Sequence, residues 1–306
     1  MSVQAIPTAQ TAVRGADFDL RSVISRDGTT IGYRWFGSGP GVVLLHGSAS
    51  SGAHHVELAR LLADSFTVIV PDRRGRGLSR PAGRGDATRA EVEDLAAVLE
   101  ATGARNVFGL SSGAIIALQA ARTTPQIRKV VAYEPPLFRD RAATESILRR
   151  FDAEMARGEI GAAMVTAMRG AEMGPAWFRA LPKALTSRLV AAGMKQEAKR
   201  PRGAYPTMGE LAPTLHTDFA VVTEASGPLD PFREIAADVL LMGGSKSPAF
   251  LKRALRDLAA VLPNARRVEL PGLDHSASWN QDRRGHPEAV AEQLRRFFGS
   301  STAETR

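Results

Sequence analysis

The chain has 306 residues, enough for one large domain or two of ordinary size, and 44% of them are hydrophobic, the usual share for a soluble globular protein. Cysteine is absent, which excludes a disulfide framework, a thiolate nucleophile and a Cys-ligated metal. The formal charge of +8 is carried mostly by arginines scattered among acids in runs no longer than a triplet, so a basic surface without a nucleic-acid stripe is expected.

The opening stretch MSVQAIPTAQTAVRG has no charged segment followed by an apolar core, and no apolar run nears the ~20 residues needed to span a bilayer. The expectation is a cytoplasmic protein with no membrane partner. Residues 1–17 are polar and aperiodic, an expected loose arm. Leu20 to Ser25 and Thr29 to Phe36 alternate on either side of Asp27-Gly28, which predicts an antiparallel hairpin. Gly41 to Leu45 is a continuous apolar run of the kind found in strands covered on both faces, and it ends at His46-Gly47-Ser48. A helix is expected over residues 53–63 and a strand from Phe66 to Val70. A turn-rich stretch, RRGRGLSRPAGRGD, follows Pro71-Asp72. Val92, Leu95, Val98 and Leu99 fall at helical spacing, with Asp86 or Thr88 as cap.

Asn106 to Leu110 then reads as a buried strand and Ala114 to Ala121 as a helix of small and apolar residues, with only Gly109-Leu110-Ser111-Ser112-Gly113 between them. So sharp a strand-to-helix turn forces a strained backbone on the central residue and leaves no room for side chains two places away. Ser111 is therefore expected to stand out at the carboxyl edge of the sheet, beside the free N–H groups of the helix, as a nucleophile on an elbow. Lys129 to Tyr133 is one more buried strand, closing at Glu134-Pro135-Pro136.

From Leu137 to Glu234 the composition turns to Ala, Arg, Met and Leu at helical spacing, with no convincing strand. A helical block between strands of an alternating chain must sit at an edge of the sheet. It is expected to cover the carboxyl edge as a cap over 137–237, inserted in a core of 18–136 and 238–299. Within it Met164, Met168, Met173, Trp177, Phe178, Leu181 and Met208 are apolar candidates for a substrate pocket. Alternation resumes with strands at Val239 to Met242 and Arg266 to Leu270, helices at 249–262 and 287–298, and the loop PGLDHSASWNQDRRG.

The HGS turn, the PDRRGRGLS segment, the GLSSG elbow and the LPGLDH segment together resemble the α/β-hydrolase superfamily from about Arg26 to Phe298. The resemblance implies an α/β fold with an eight-stranded, mostly parallel sheet, an inserted all-helical cap and a Ser-acid-His order. It also implies backbone N–H groups of Ser48 and Ser112 as the oxyanion hole, and both leave strand ends on one sheet edge. A serine hydroxyl needs an imidazole to take its proton. Of the six histidines, only His275 lies in a loop after the last strand, where the family carries its base. His46, His54, His55, His216 and His286 are expected to be structural or to lie elsewhere.

The acid departs from the commoner pattern. Where most relatives carry a carboxylate the segment is GGSKSPAF, residues 243–250, and neither Ser247 nor Lys246 could stabilise an imidazolium. Glu134 follows the strand next to the elbow strand and keeps the chain order, while Asp274 adjoins His275 and would normally point elsewhere. A minority of the superfamily places its acid there, among them fungal zearalenone lactonases, whose segments are similar to GLSSGA and YEPP. The implied function is a serine hydrolase that cleaves a carboxylic ester or lactone through an acyl-enzyme, with a small-molecule substrate and no metal or other cofactor. Thioesterase or cyclase chemistry, a lyase using His275 as base, and a slow small-molecule binding protein share these motifs.

Overall fold

The computed structural model describes residues 13–14, 17–80, 86–172, 178, 180–201 and 203–300. The strands, in chain order, are β1 (Val13–Arg14), β2 (Asp19–Ile24), β3 (Thr30–Phe36), β4 (Gly41–Leu45), β5 (Thr67–Pro71), β6 (Asn106–Leu110), β7 (Lys129–Tyr133), β8 (Asp238–Gly244) and β9 (Ala265–Leu270). They form one sheet in the order β1-β2-β3-β5-β4-β6-β7-β8-β9. The pairs β1–β2, β2–β3 and β3–β5 are antiparallel, and every pair from β5–β4 to β8–β9 is parallel. Eight strands of normal length thus make a mostly parallel sheet. The two residues of β1 extend it where a loose arm was expected, pairing Val13 with Leu20 and Arg14 with Asp19.

Apolar runs make buried strands here because alternate side chains feed opposite layers. Val43, Val107, Val130 and Ala132 pack with Leu95 and Leu99 of α2 (Ala87–Thr102) and with Ile115 and Leu118 of α3 (Ser112–Thr123). Leu258 of α9 (Ala249–Val261) joins that layer. Their sequence neighbours Val42, Leu44, Phe108 and Val131 point the other way, onto Leu58 of α1 (Val56–Leu62) and Leu294 of α10 (Pro287–Gly299). The predicted helix over 53–63 opens as a short 3₁₀ turn, Gly52–His55, before α1. Asp86 caps α2 as expected, accepting from the Arg89 N–H at 2.8 Å.

Between β7 and β8 lie α4 (Arg141–Ala156), α5 (Ile160–Gly170), α6 (Lys183–Ala198), α7 (Met208–Leu211) and α8 (Leu215–Ala225). Phe151, Ala163, Met164, Ala167, Ala212 and Leu215 give this insertion its own apolar cluster, and Ala49, from the loop after β4, packs against it. The last helix belongs to both bodies. Leu215 joins the insertion's cluster, whereas Val221, Val222 and Ala225 pack into the core layer with α2 and α3. Among the described residues no helix is long and apolar enough to cross a membrane.

Candidate active site

Register brings three strand ends level. Leu110 pairs with Tyr133 and Tyr133 with Met242, so the next residues, Ser111, Glu134 and Gly243, lie along one rung at the carboxyl edge. The ladder continues into that rung, because the Ser111 N–H donates to the Tyr133 carbonyl at 2.9 Å and the Glu134 N–H to the Met242 carbonyl at 3.0 Å. Ser111 has φ +56° and ψ −123°, the strained conformation expected of an elbow. The tightness is visible at Gly113, where a Cβ would stand 2.5 Å from the His46 carbonyl oxygen. Ser111 is 9% exposed and keeps access to the edge.

Glu134 is also strained, at φ +48°, and fully buried. Its two oxygens are divided between two partners. Oε1 accepts from the Gly244 N–H at 2.7 Å, and Oε2 lies 2.7 Å from His275 Nδ1. The other carboxylate considered, Asp274, instead turns back on its own loop, accepting from the Ser276 N–H at 2.9 Å and from Ser276 Oγ at 2.7 Å. Ser247 is buried and its hydroxyl has no partner. The loop that carries His275 is tied to the same strand ends, since Tyr133 Oη donates to the Asp274 carbonyl at 2.8 Å. Burial, with Glu134 and Asp274 nearby, pushes the Tyr133 phenol well up, so it remains a donor.

The two turns expected to supply backbone N–H groups are each held by the carbonyl of the same peptide. In a trans peptide C=O and N–H point in opposite directions, so fixing one aims the other. The Gly47 carbonyl, joined to the Ser48 N–H, accepts from Ser50 Oγ at 2.9 Å and lies 2.9 Å from His46 Nδ1. His46 Nε2 accepts from the Arg73 N–H at 3.0 Å, which places the ring proton on Nδ1 and makes that nitrogen the donor. Burial first, then the charges of Arg76 and Arg73, hold His46 well below its ordinary pKa, so the ring stays neutral. The Ser111 carbonyl, joined to the Ser112 N–H, accepts from Ala114 at 2.9 Å and Ile115 at 3.2 Å. A Cβ on Gly47 would lie 2.9 Å from Ser111 Cβ, so the two turns face each other closely.

Sequence reasoning missed what lies beneath. Arg73, Arg74 and Arg76, counted with the surface charge, are buried. Arg73 grips Glu91 with two nitrogens, at 2.8 and 3.1 Å, and reaches Asp218 Oδ1 at 2.8 Å and Ser112 Oγ at 2.9 Å with a third. Arg76 Nη2 donates to Asp218 Oδ2 at 2.7 Å. Two guanidinium groups and two carboxylates leave no net charge, the condition under which buried ions are tolerated. A signal existed: Glu91 and Asp94 fall on the same helical stripe as Leu95 and Val98, an odd place for acids unless cations meet them.

Of the apolar pocket candidates, Met164 is buried in the insertion's cluster and Met208 packs against it. Met168 is half-buried, as is Leu181, and Phe178 is buried. Met173 and Trp177 lie outside the described residues. His216, on α8, pairs with Asp152 at 2.8 Å. Among the described residues no group of three or more His, Asp or Glu side chains is placed to hold a metal ion.

Comparison with known proteins agrees with this architecture. The sequence model of the alpha/beta hydrolase family matches residues 42–293. An alpha/beta hydrolase from Sphaerobacter thermophilus, known from its crystal structure, is 36% identical, with a TM-score of 0.72 over 90% of this chain and 99% of that one. The 2-(acetamidomethylene)succinate hydrolase of Mesorhizobium japonicum is 28% identical over 80% of this chain and 85% of its own length. A pimeloyl-[acyl-carrier protein] methyl ester esterase of Xanthomonas oryzae is 26% identical over 86% of this chain and 97% of its own.

Proposed function

We propose, from the premise that the chain belongs to the α/β hydrolase family, that it is a serine hydrolase of carboxylic esters or lactones. Ser111 is the nucleophile, His275 the base and Glu134 the acid. The observation that carries the reading is the 2.7 Å contact between Glu134 Oε2 and His275 Nδ1, beside a serine held on a strained turn of the same rung.

The chemistry follows from proton positions. An ionised carboxylate only accepts, so it keeps the His275 proton on Nδ1 and leaves Nε2 with a lone pair to take the Ser111 proton. The freed alkoxide attacks the carbonyl carbon, and the oxygen of that carbonyl gathers negative charge in the hole formed by the Ser48 and Ser112 N–H groups. Collapse breaks the C–O bond of the ester, and the imidazolium returns its proton to the departing oxygen. In a lactone that oxygen stays on the same molecule. Water, deprotonated by His275, then attacks the acyl-enzyme, and as the bond to Ser111 Oγ breaks the imidazolium returns that proton to it and the acid is released.

The relative named as a methyl ester esterase supports an ester-hydrolase class, and the one named as a 2-(acetamidomethylene)succinate hydrolase supports a hydrolase more broadly. The acid position, on which the likeness to zearalenone lactonases rests, inclines the reading toward lactones. The insertion is the cap, and Met164, Met168, Phe178 and Met208 are our candidates for its apolar wall. The test is a screen of p-nitrophenyl esters and of small and macrocyclic lactones with Ser111→Ala as control. Turnover confined to the wild type is expected, and activity that survives the substitution would overturn the assignment.

A further inference from the structure

The Ser48 and Ser112 side chains meet as well as their backbones. Ser48 Oγ donates to Ser112 Oγ at 3.2 Å. A hydroxyl has one proton and two lone pairs, and all three sites on Ser112 are used. The proton goes to Asp218 Oδ1 at 2.9 Å, and the lone pairs accept from Ser48 and from Arg73 Nη1 at 2.9 Å. Asp218 is buried, and it comes from α8 of the insertion, 106 residues along the chain from Ser112. Burial alone would raise its carboxyl, but Arg76 and Arg73 beside it hold it below the ordinary value, so it acts as an acceptor.

We propose that Asp218 is a positioning residue, a carboxylate of the insertion that does not touch substrate but fixes both oxyanion amides through the Ser112 hydroxyl. The inference rests on the oxyanion assignment of the proposed function. Arg73 and Arg76 already balance Asp218 by direct ion pairs, so the bond to Ser112 is not needed for charge neutrality. Its effect is geometric. With the acceptor gone, Ser112 Oγ is free to turn, Ser48 loses its partner, and the two N–H groups no longer have a shared reference. Displacements of this kind are small, yet catalytic rates respond steeply to them.

The test uses a p-nitrophenyl alkylphosphonate, whose phosphoryl oxygen occupies the place of the developing oxyanion when it modifies Ser111. Ki and kinact are measured for the wild type, Ser112→Ala, Asp218→Ala and the double variant. Each single substitution is expected to lower kinact by about tenfold or more while Ki stays within about twofold, because only the transition state uses the aligned amides. The double variant should be no slower than the slower single, since both cut one tie. Ser112→Ala keeps charge and backbone, and carries the test if Asp218→Ala fails to fold. Wild-type rates in Ser112→Ala, a change in Ki alone, or additive losses in the double variant overturn the inference while leaving the hydrolase reading intact. If the wild type is not modified at Ser111 at all, both fall together.

Discussion

Glu134 reaches His275 across 141 residues of sequence, with a carboxylate oxygen 2.7 Å from Nδ1 and the other oxygen bound at 2.7 Å by the Gly244 N–H of the neighbouring strand. On the proposed reading, Glu134 stands in for the acid that residues 243–250 lack. Glu134→Gln should keep the shape but reverse the polarity toward Nδ1, and kcat should fall on the order of 10⁴-fold. Ser247→Ala and Asp274→Asn should cost far less. Steady-state rates with matched circular dichroism spectra decide it, and a mild Glu134→Gln would return the acid role to another group.

Ser111→Ala should abolish turnover without unfolding the protein, since alanine bears the same backbone strain at φ +56° as serine does. His275→Ala should lose comparable activity because nucleophile and base serve one step. His46→Ala should act chiefly on stability, by leaving the Arg73 N–H and the Gly47 carbonyl short of a partner in a buried place. Mass spectrometry after phosphonate treatment should find one adduct, on Ser111. An adduct elsewhere with full residual activity would sink the nucleophile assignment.

Gly243→Ala offers a test that changes no reacting group. A Cβ there would stand 2.8 Å from Glu134 Oε1 and 2.7 Å from Leu255 Cδ1, so the carboxylate must move. A loss of about 1–3 kcal/mol in stability, the usual range for overpacking, is expected together with a fall in kcat of roughly tenfold. Urea unfolding and initial rates measure the two. Destabilisation with an unchanged kcat would mean that the acid tolerates displacement.

Acid should weaken the fold through His54 and His55, which take no part in the proposed chemistry. Burial, then Arg283, lowers His54 to about 4, and burial, then His54, lowers His55 to about 3. An unfolded histidine takes its proton near 6.5, so in this window the unfolded chain binds more protons than the folded one. The stabilisation is complete above pH 6.5 and is lost as pH falls toward 4, at up to ~1.4 kcal/mol per pH unit for each group. Urea midpoints at pH 7.5, 6 and 5 should decline, and His54→Gln should flatten the decline. Constant midpoints would contradict it.

How much the sequence discloses follows from the range of each constraint. The elbow is legible because its demands fall within five residues, and Glu134 because an acid is missing from 243–250 while one stands at the end of the strand beside Ser111. The hairpin, the buried strands and the helical insertion follow from periodicity and turn residues. Asp218 was not legible. A lone acid on a helix looks like a solvated face, and only the fold reveals that it meets arginines from a loop more than a hundred residues earlier. For the same reason Arg73, Arg74 and Arg76 passed for surface charge. The edge pairing at Val13 and Arg14 is two residues long, too short for alternation to register.

The ion pairs at Asp218 limit how this protein could be recombined. Helical insertions in such folds invite exchange as cassettes, one wall for another substrate. Here α8 brings the carboxylate that balances Arg73 and Arg76, and its Val221 and Val222 are shared with the core. A graft that replaced residues 141–225 without an acid at the matching helical position would strand positive charge in a buried place, a loss of about 3–5 kcal/mol for a broken buried pair. Foreign insertions are therefore compatible only if they carry their own counterion to this place. Exchanging α4 and α5 alone, with α8 kept, leaves that counterion in place.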